Sequence, residues 1–410
     1  MTGDLARRLG PFDATLLGLG SMLGAGVFAV FAPAAASAGS ALLLALALAG
    51  FVAYCNAAAS AQLAAVYPES GATYVYGRKR LGPWWGFTAG WGFVVGKTAS
   101  CAAMAMTFAG YAVPGYQRPA AVAAVLALTA VNYRGITRTA LLTRILLAAV
   151  LAVLGIVIAV CLANPDPAGL TESWLEHGVF GVLQAAGLLF FAFAGYARIA
   201  TLGEEVRDPR RTIPRAIFAA LGTALLIYLL VGVALLLVLG PDRLAAAGAP
   251  LADALTAAGL PGLAPLARVG AAAASLGALL ALLAGVGRTA LAMARNRDLP
   301  GGLAAVHPRF AVPHRAEWLV AALVCGLVLV ADLREVIGFS SFGVLVYYAI
   351  ANASAWTQPA ADRRWPRWLN VAGLAGCLLL AATLPLPAVL AGLGVFAVGL
   401  AGRAVALTRR

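Results

Sequence analysis

Long runs of apolar residues, separated by short polar loops, make up most of the chain. Such a run crosses a bilayer as a helix when it reaches about 20 residues, and the helix is the default because a spanning segment must satisfy its own backbone. The runs cover residues 12–36, 41–67, 83–112, 119–132, 139–163, 179–203, 213–240, 265–293, 316–333, 336–357, 367–384 and 386–406. The pattern predicts an all-α polytopic membrane protein with about twelve transmembrane helices, of which the fourth is short.

The first run is interrupted by small residues near its middle. It contains Gly18, Gly20, Gly24 and Gly26, with Ser21 between them, and each glycine weakens a helix by about 1 kcal/mol relative to alanine. One interpretation is close packing, because small residues let helix backbones approach each other in lipid. The other is a broken helix, whose freed N–H groups face a cavity at mid-membrane and hold the negative end of a substrate.

The composition supports a membrane protein. Hydrophobic residues make up 62% of the chain and charged residues 11%, whereas soluble domains carry roughly 25% charged residues. Residues 1–9 form a short charged start that leads directly into the first run, so no cleavable signal peptide is expected. The five cysteines are single and lie within apolar runs, which favours buried packing over a disulfide or a metal site.

The positive charge of the chain is distributed unevenly between alternate loops. There are 29 basic and 16 acidic residues, for a formal net charge of +13. Most arginines fall in every second loop and at both termini, whereas the other loops carry only Arg118, Arg243, Arg268 and Arg334. Because cytoplasmic loops are enriched in Lys and Arg, both termini are predicted to be cytoplasmic. The charge is therefore a topology signal in a lipid bilayer, and no nucleic-acid partner is expected.

Three sequence motifs occur within or directly after the apolar runs. Residues 21–28 read Ser-Met-Leu-Gly-Ala-Gly-Val-Phe. Residues 190–196 read Phe-Phe-Ala-Phe-Ala-Gly-Tyr, and residues 203–214 read Gly-Glu-Glu-Val-Arg-Asp-Pro-Arg-Arg-Thr-Ile-Pro. Residues 293–300 read Met-Ala-Arg-Asn-Arg-Asp-Leu-Pro. In this order they resemble the first helix, the sixth helix with its following loop, and the exit of the eighth helix in compact bacterial amino-acid permeases of the amino acid–polyamine–organocation (APC) superfamily.

This resemblance implies a single membrane domain, residues 1–410, with the five-plus-five inverted repeat of the leucine-transporter-like fold. Residues 12–163 would form the first repeat, residues 179–357 the second, and residues 366–406 two appended helices. Helices 1 and 6 would be broken. The implied function is secondary active transport by alternating access, in a bacterial-type inner (plasma) membrane.

The resemblance also implies where an amino-acid substrate would bind. Its carboxylate would meet N–H groups around Gly24 and Gly26, and its ammonium would meet carbonyl groups near Phe191 and Ala194. The aromatic residues of the second motif would line a side-chain pocket, although packing against lipid or helices explains such residues equally well. The candidate substrate-binding residues are Ser21, Met22, Leu23, Gly24, Ala25, Gly26, Phe190, Phe191, Phe193, Ala194, Gly195, Tyr196 and Ser341.

Two basic residues are candidates for coupling transport to protons. Lys97 lies midway along the third run and is one of only two lysines among the 29 basic residues. Intramembrane charges tend to be functional, and a buried lysine can release its proton whereas arginine cannot. The alternative is that Lys97 pairs with a backbone carbonyl or sets helix packing. Arg198 follows the sixth-helix motif and departs from the acidic or polar residue usual there; its alternative is snorkelling to the membrane surface.

The loop after the sixth run is a candidate inner gate. Glu204, Glu205 and Arg207 lie in a segment that mixes acidic residues with arginines. An inner gate would make and break ion pairs there, whereas the alternative is a solvated charged hinge.

Several absences narrow the function. No Asp or Glu falls near the middle of a run, which favours neutral, apolar amino acids over cationic ones. The eighth run offers few hydroxyl groups for sodium, which favours proton coupling or exchange. An exporter of neutral amino acids such as methionine or branched-chain ones is the alternative. The three histidines lie in predicted loops without metal-ligand spacing. No cofactor, metal or catalytic residue is predicted, so an integral-membrane enzyme is disfavoured, as is a channel.

Overall fold

The computed structural model describes residues 10–68, 71–134, 140–166, 177–200 and 206–408, and for residues 140–142 and 197–198 it describes the backbone alone. The helices, numbered in chain order, are α1 (Pro11–Met22), α2 (Ala25–Ala29), α3 (Phe31–Ala38), α4 (Leu42–Val66), α5 (Thr73–Arg80), α6 (Pro83–Ala112), α7 (Gln117–Tyr133), α8 (Ala140–Ala163), α9 (Gly178–Phe193), α10 (Ala197–Ala200), α11 (Pro209–Ala246), α12 (Pro250–Ala257), α13 (Ala264–Arg295), α14 (His314–Val330), α15 (Leu333–Trp356), α16 (Arg367–Thr383) and α17 (Leu386–Thr408).

Many of these helices have the length and composition of membrane spans. Among the described residues, eight helical stretches are long and apolar enough to cross a bilayer. They are Pro11–Ala29, Phe31–Val66, Pro83–Ala112, Thr143–Ala163, Pro209–Ala246, Pro261–Arg295, Leu333–Trp356 and Leu386–Thr408. Helices α9 and α16 are apolar but shorter. The prediction of an all-α polytopic membrane protein is therefore confirmed.

The helices differ from the apolar runs where local chemistry extends or interrupts them. Helix α11 begins at Pro209 and ends at Ala246, whereas the run covered only residues 213–240. It kinks at Gly240, where φ is 66°, and Pro241 has no N–H to continue the hydrogen-bond ladder. Helices α5 and α12 are short and lie in segments between runs.

Helix α15 has a well-defined start, which matters because this start lies at one end of the bundle beside the broken helices. The Asp332 carboxylate accepts a hydrogen bond from the N–H of Glu335 at 2.8 Å. The Glu335 carboxylate accepts one from the N–H of Asp332 at 3.1 Å. This capping box satisfies two N–H groups that the helix itself leaves unpaired, and it fixes the position of Arg334 between them.

Helix α6 lies at the centre of the bundle. It packs against α13, α15, α14 and α7, and 72% of the residues in its apolar stretch are buried. In the apolar stretches of α8 and α17 the buried shares are 33% and 28%, so these helices lie at the outside of the bundle. The broken first segment packs through α1 on α11 and through α2 on α6, while α9 packs on α4. The two interrupted helices therefore lie inside the bundle.

Candidate functional site

The first apolar run is a broken helix. Helix α1 ends at Met22, where the N–H of Leu23 donates to Leu19 O at 2.8 Å. Gly24 has a ψ of −136°, which is not helical, and α2 begins at Ala25. Residues 22–30 are buried. The first N–H groups of a helix have no acceptor within it, so this break presents backbone donors in the interior of the protein.

The sixth apolar run is broken as well. Helix α9 ends at Phe193, and the N–H of Ala194 reaches back to Phe191 O at 3.4 Å. Residues 194–196 form a turn before α10 begins at Ala197. The last carbonyl groups of a helix have no donor within it. The second break therefore leaves carbonyl groups without a helical donor.

The two breaks cross each other at backbone contact. A Cβ atom added to Gly195 would lie 2.5 Å from the carbonyl carbon and oxygen of Ser21. One added to Gly26 would lie 2.9 Å from Cα of Ala192. The sequence left open whether the glycines serve close packing or a helix break. Both occur, because the glycines permit the crossing at the place where the helices are interrupted.

Tyr228 of α11 joins the two breaks, and the sequence analysis did not identify it. Its hydroxyl lies 2.7 Å from Met22 O and 2.9 Å from Ala192 O, so the single proton is shared between one carbonyl from each broken helix. The Tyr228 ring stacks edge-on against Phe193, with centroids 5.1 Å apart. The one available signal was a lone tyrosine within a long apolar run.

Lys97 of α6 reaches the second break. Its Nζ donates to Ala194 O at 3.3 Å, and the residue is only 8% exposed. Among the ion pairs of the described residues, none includes Lys97. The alternative in which Lys97 pairs with a backbone carbonyl is thus present in the structure, and the carbonyl belongs to the candidate site.

The aromatic residues of the sixth-helix motif pack closely together. Phe190 contacts Tyr348 edge-on at 5.8 Å between centroids, and Tyr196 lies 5.2 Å from the same ring. Phe191 is also buried. On α15, Ser341 is buried and its hydroxyl has no hydrogen-bond partner among the described residues. These side chains surround the second break, and Ser341 offers an unused polar group in the interior.

A small cavity adjoins the first break. It has a volume of about 30 Å³, which suits a water molecule. It lies between the first break, α8 and α13, and its lining includes Leu23, Gly24, Thr143 and Ala278. A Cβ on Gly24 would lie 2.7 Å from the Ala278 Cβ. The arrangement around the breaks is therefore compact.

Polar side chains join the elements beyond the carboxyl-terminal side of the first break. Arg334 donates to the hydroxyl of Ser37 at 2.8 Å and to Oε1 of Gln184 at 3.0 Å. This cluster links α3, α9 and the start of α15. The Tyr111 hydroxyl of α6 donates to Phe28 O of α2 at 3.2 Å. These hydrogen bonds hold both broken segments in position on this side.

The opposite end of α1 is held by an ion pair. Arg144 of α8 pairs with Asp13 in the first turn of α1. This pair joins the start of α1 to α8. Arg207 is exposed, whereas Glu204, Glu205 and the Arg198 side chain lie outside the described residues. Those assignments therefore stay predictions.

A second charged cluster joins distant parts of the chain. Asp298, after α13, pairs with Arg78 of α5 at 2.7 Å and with Arg403 of α17, and it accepts a hydrogen bond from the Tyr74 hydroxyl at 2.7 Å. Burial and the bond to the Asp298 carboxylate raise the pKa of Tyr74 to about 12. The cluster fixes the segment that carries the third sequence motif.

Comparisons with known proteins agree with the motifs. A model of the amino acid permease family matches residues 13–362. An uncharacterized transporter of Mycobacterium tuberculosis is 60% identical over 411 residues, covering 99% of this chain and 93% of that protein. The branched-chain amino acid permease BcaP of Bacillus subtilis is 28% identical, covering 85% and 80%. Cationic amino acid transporter 4 of Homo sapiens is 30% identical, covering 86% of this chain and 60% of that protein.

Proposed function

Because this chain belongs to the amino acid permease family, we propose that it is a secondary active transporter that moves neutral, apolar amino acids by alternating access. The observation that carries the proposal is the crossing of two broken helices in the interior. One break offers backbone N–H groups and the other offers carbonyl groups, and an amino acid has one charged group for each.

The proposed architecture is twelve spans with a five-plus-five inverted repeat. Exchanging the two halves would map α1 to α9, α4 to α11, α6 to α13, α7 to α14 and α8 to α15. Under this exchange the contact of α1 with α11 becomes that of α9 with α4, and the contact of α6 with α15 becomes that of α13 with α8. All four contacts exist, as do the self-paired contacts α4–α11, α6–α13 and α7–α14. This pattern supports a two-fold relation between the halves.

In the proposed binding mode, the substrate carboxylate meets the N–H groups of residues 24–26. Its ammonium meets carbonyl groups at the α9 break, of which Ala194 O is one. Phe190, Phe193 and Tyr196 enclose the side chain, and Ser341 supplies a further polar contact. The small cavity and the clusters on both sides of the breaks support a closed state, which must open on alternate sides during transport.

The positions of the acidic residues support a neutral, apolar substrate. A cationic side chain would need a buried counter-charge near the breaks. Glu317 is buried, but it lies in the first turn of α14 and not near the middle of that helix. The name of the Bacillus permease points to branched-chain substrates, whereas that of the human relative points to cationic ones. The substrate panel below therefore includes both classes.

The proposed orientation places both termini in the cytoplasm of a bacterial-type inner membrane. The cluster of Arg334, Ser37 and Gln184 would then close the outer side, and the pair of Asp13 and Arg144 the inner side. Residues 204–207 and Arg198 remain candidates for the inner gate and for coupling. Transport is proposed to be coupled to protons or to operate as exchange, with net export as an alternative direction.

Counterflow in proteoliposomes tests this function. Vesicles loaded with unlabelled leucine, methionine or arginine are diluted into the labelled amino acid, and protein-free vesicles serve as the blank. Leucine or methionine should enter well above the blank and arginine should not. Counterflow of arginine alone would overturn the neutral-substrate proposal, and counterflow of no amino acid would overturn the transport proposal.

A pair of glycine variants links the activity to the crossing of the breaks. Gly195→Ala places a Cβ 2.5 Å from the Ser21 carbonyl, whereas a Cβ on Gly222 of α11 meets nothing within 4 Å. Gly195→Ala should lose counterflow and Gly222→Ala should keep it. Equal activity in the two variants would argue against a site at the crossing.

A further inference from the structure

Lys97 donates a hydrogen bond to a carbonyl group that the proposed function assigns to the substrate ammonium. Its Nζ lies 3.3 Å from Ala194 O, at the end of α9. A protonated lysine amine and the ammonium of an amino acid offer the same chemistry, three N–H donors on a positive nitrogen with no acceptor. The protein thus brings to the break a group of the same kind as the one that a substrate would bring.

Other carbonyl groups beside the break are already engaged by the protein. Tyr228 contacts Ala192 O at 2.9 Å, the N–H of Ala194 contacts Phe191 O at 3.4 Å, and the N–H of Ile199 contacts Tyr196 O at 2.9 Å. Two of these three contacts come from the backbone itself, which cannot withdraw without moving the chain. The partner of Ala194 O is a long flexible side chain, which can turn away and leave the carbonyl to a ligand.

Among the described residues, no carboxylate forms an ion pair with Lys97. Helices α2 and α9 carry no ionisable side chain. Ionisable side chains on α6, and on the other elements packed against it or following the break, are Cys101 and Tyr111 on α6; Tyr74, Tyr76, Arg78, Lys79 and Arg80 on α5; Arg118 and Tyr133 on α7; Tyr196 and Arg198 after α9; Arg268, Arg288 and Arg295 on α13; His314, Arg315, Glu317 and Cys325 on α14; Arg334, Glu335, Tyr347 and Tyr348 on α15; and Arg403 on α17.

The two carboxylates in that set lie at helix starts. Glu335 caps the start of α15, and Glu317 lies in the first turn of α14, against Gly287 of α13. Cys101 lies one turn along α6 and is buried, and a neutral thiol supplies no counter-charge. A protonated Lys97 and a substrate ammonium would therefore be two like charges at one acceptor, and like charges in a low-dielectric interior disfavour each other.

We propose that protonated Lys97 and the substrate ammonium compete for the carbonyl of Ala194, so that the carrier exchanges a proton for an amino acid. This rests on the proposed function. When the substrate binds, the N–H bond of the Lys97 ammonium breaks, its electron pair stays on Nζ, and the proton passes to water on the open side. The loaded carrier crosses with neutral Lys97, and the carrier returns empty with Lys97 protonated.

The position of Lys97 determines the direction of coupling. Had its amine met the N–H side of the site, at residues 24–26, its charge would attract the substrate carboxylate and the proton would travel with the substrate. It meets the carbonyl side, where its charge opposes the ammonium. One positive charge then moves against each zwitterion, so an inward proton gradient drives neutral amino acids out of the cell.

Proton release on binding tests the proposal in the wild-type protein. The probe is L-leucine, or the neutral amino acid with the greatest counterflow in the panel above. Added to the purified protein in weakly buffered detergent solution with a pH dye, it should release up to about one proton per molecule bound. Its Kd should fall with rising pH, by up to about tenfold per pH unit where Lys97 titrates. Proton uptake, or binding without any proton exchange, would overturn the proposal.

Two variants assign the proton to this residue. Lys97→Gln should bind the probe with no pH dependence and release no proton. Lys97→Arg keeps the charge at every pH and should bind weakly throughout. Lys79→Gln, the matched change at the other lysine, should behave as the wild type. Undiminished proton release in Lys97→Gln would refute the assignment. If a Lys97 variant fails to fold, proton release or uptake by the wild-type protein still decides whether the proposal holds.

Gradients in proteoliposomes give an independent readout. The probe should accumulate when the lumen is more acidic than the outside, and a potassium–valinomycin potential that is negative outside should increase the accumulation. Accumulation driven by an acidic exterior would refute proton exchange while leaving the transport function intact. Loss of counterflow for every amino acid would instead refute the proposed function itself.

Discussion

The hydroxyl of Tyr228 should stabilise the crossing of the broken helices. It contacts a carbonyl from each of them, Met22 O at 2.7 Å and Ala192 O at 2.9 Å. Tyr228→Phe keeps the ring contact with Phe193 and removes the donor. A buried acceptor left unpaired costs about 1–3 kcal/mol, and transmembrane hydrogen bonds average about 0.6 kcal/mol. We expect a loss of about 1–3 kcal/mol, since two carbonyl groups lose their donor.

The measurement is the free energy of unfolding of purified protein in mixed micelles, titrated with a denaturing detergent. Tyr116→Phe is the matched control, because Tyr116 is 72% exposed and its hydroxyl can be replaced by solvent. A loss of about 1.4 kcal/mol changes the unfolding equilibrium about tenfold, which the titration resolves. If Tyr228→Phe unfolds with the same free energy as the wild type and the control, the hydroxyl does not hold the breaks and the reasoning is wrong.

Two further predictions follow from charge and topology. In a cysteine-free background and intact cells, a cysteine at Arg211 should resist an impermeant thiol reagent and one at Gly248 should react, because the arginine distribution predicts that Arg211 is cytoplasmic. The reverse labelling pattern would contradict the proposed orientation. Reversing the charges of Asp13 and Arg144 one at a time should impair counterflow, and reversing both should restore it; equal impairment in the double variant would mean that the pair does not join α1 to α8 in the working cycle.

The sequence predicted an all-helical membrane protein because a bilayer imposes a length that apolar runs must meet. The count of about twelve spans stays a prediction, since eight helical stretches of the described residues meet that length. Helix α7 covers Gln117–Tyr133, close to the short run at residues 119–132. A break was one of two interpretations of the glycine cluster in the first run, and the family resemblance implied the break in the sixth. What the clusters could not reveal is that Gly26 and Gly195 each approach the other helix, since this depends on how two segments far apart in the chain cross.

The side-chain partners were beyond prediction for the same reason. Nothing in the sequence indicates that Lys97 reaches Ala194, or that Tyr228 reaches Met22, because each contact joins elements whose relative position is set by the packed bundle. Asp298 was noticed only as part of a motif, although it joins α5 to α17. The predicted inner gate rested on local charge alone and stays a prediction, because Glu204 and Glu205 lie outside the described residues.

The central claim is that the substrate binds where the two breaks cross, and substrate protection at Ser21 tests it most directly. In a cysteine-free protein that retains counterflow, Ser21→Cys is treated with a permeant maleimide, with Gly248→Cys as the control in an exposed loop. Leucine at ten times its Kd leaves about a tenth of the sites free, so modification of Ser21→Cys should slow about tenfold while that of Gly248→Cys is unchanged. Equal rates with and without leucine at Ser21→Cys would contradict a site at the crossing.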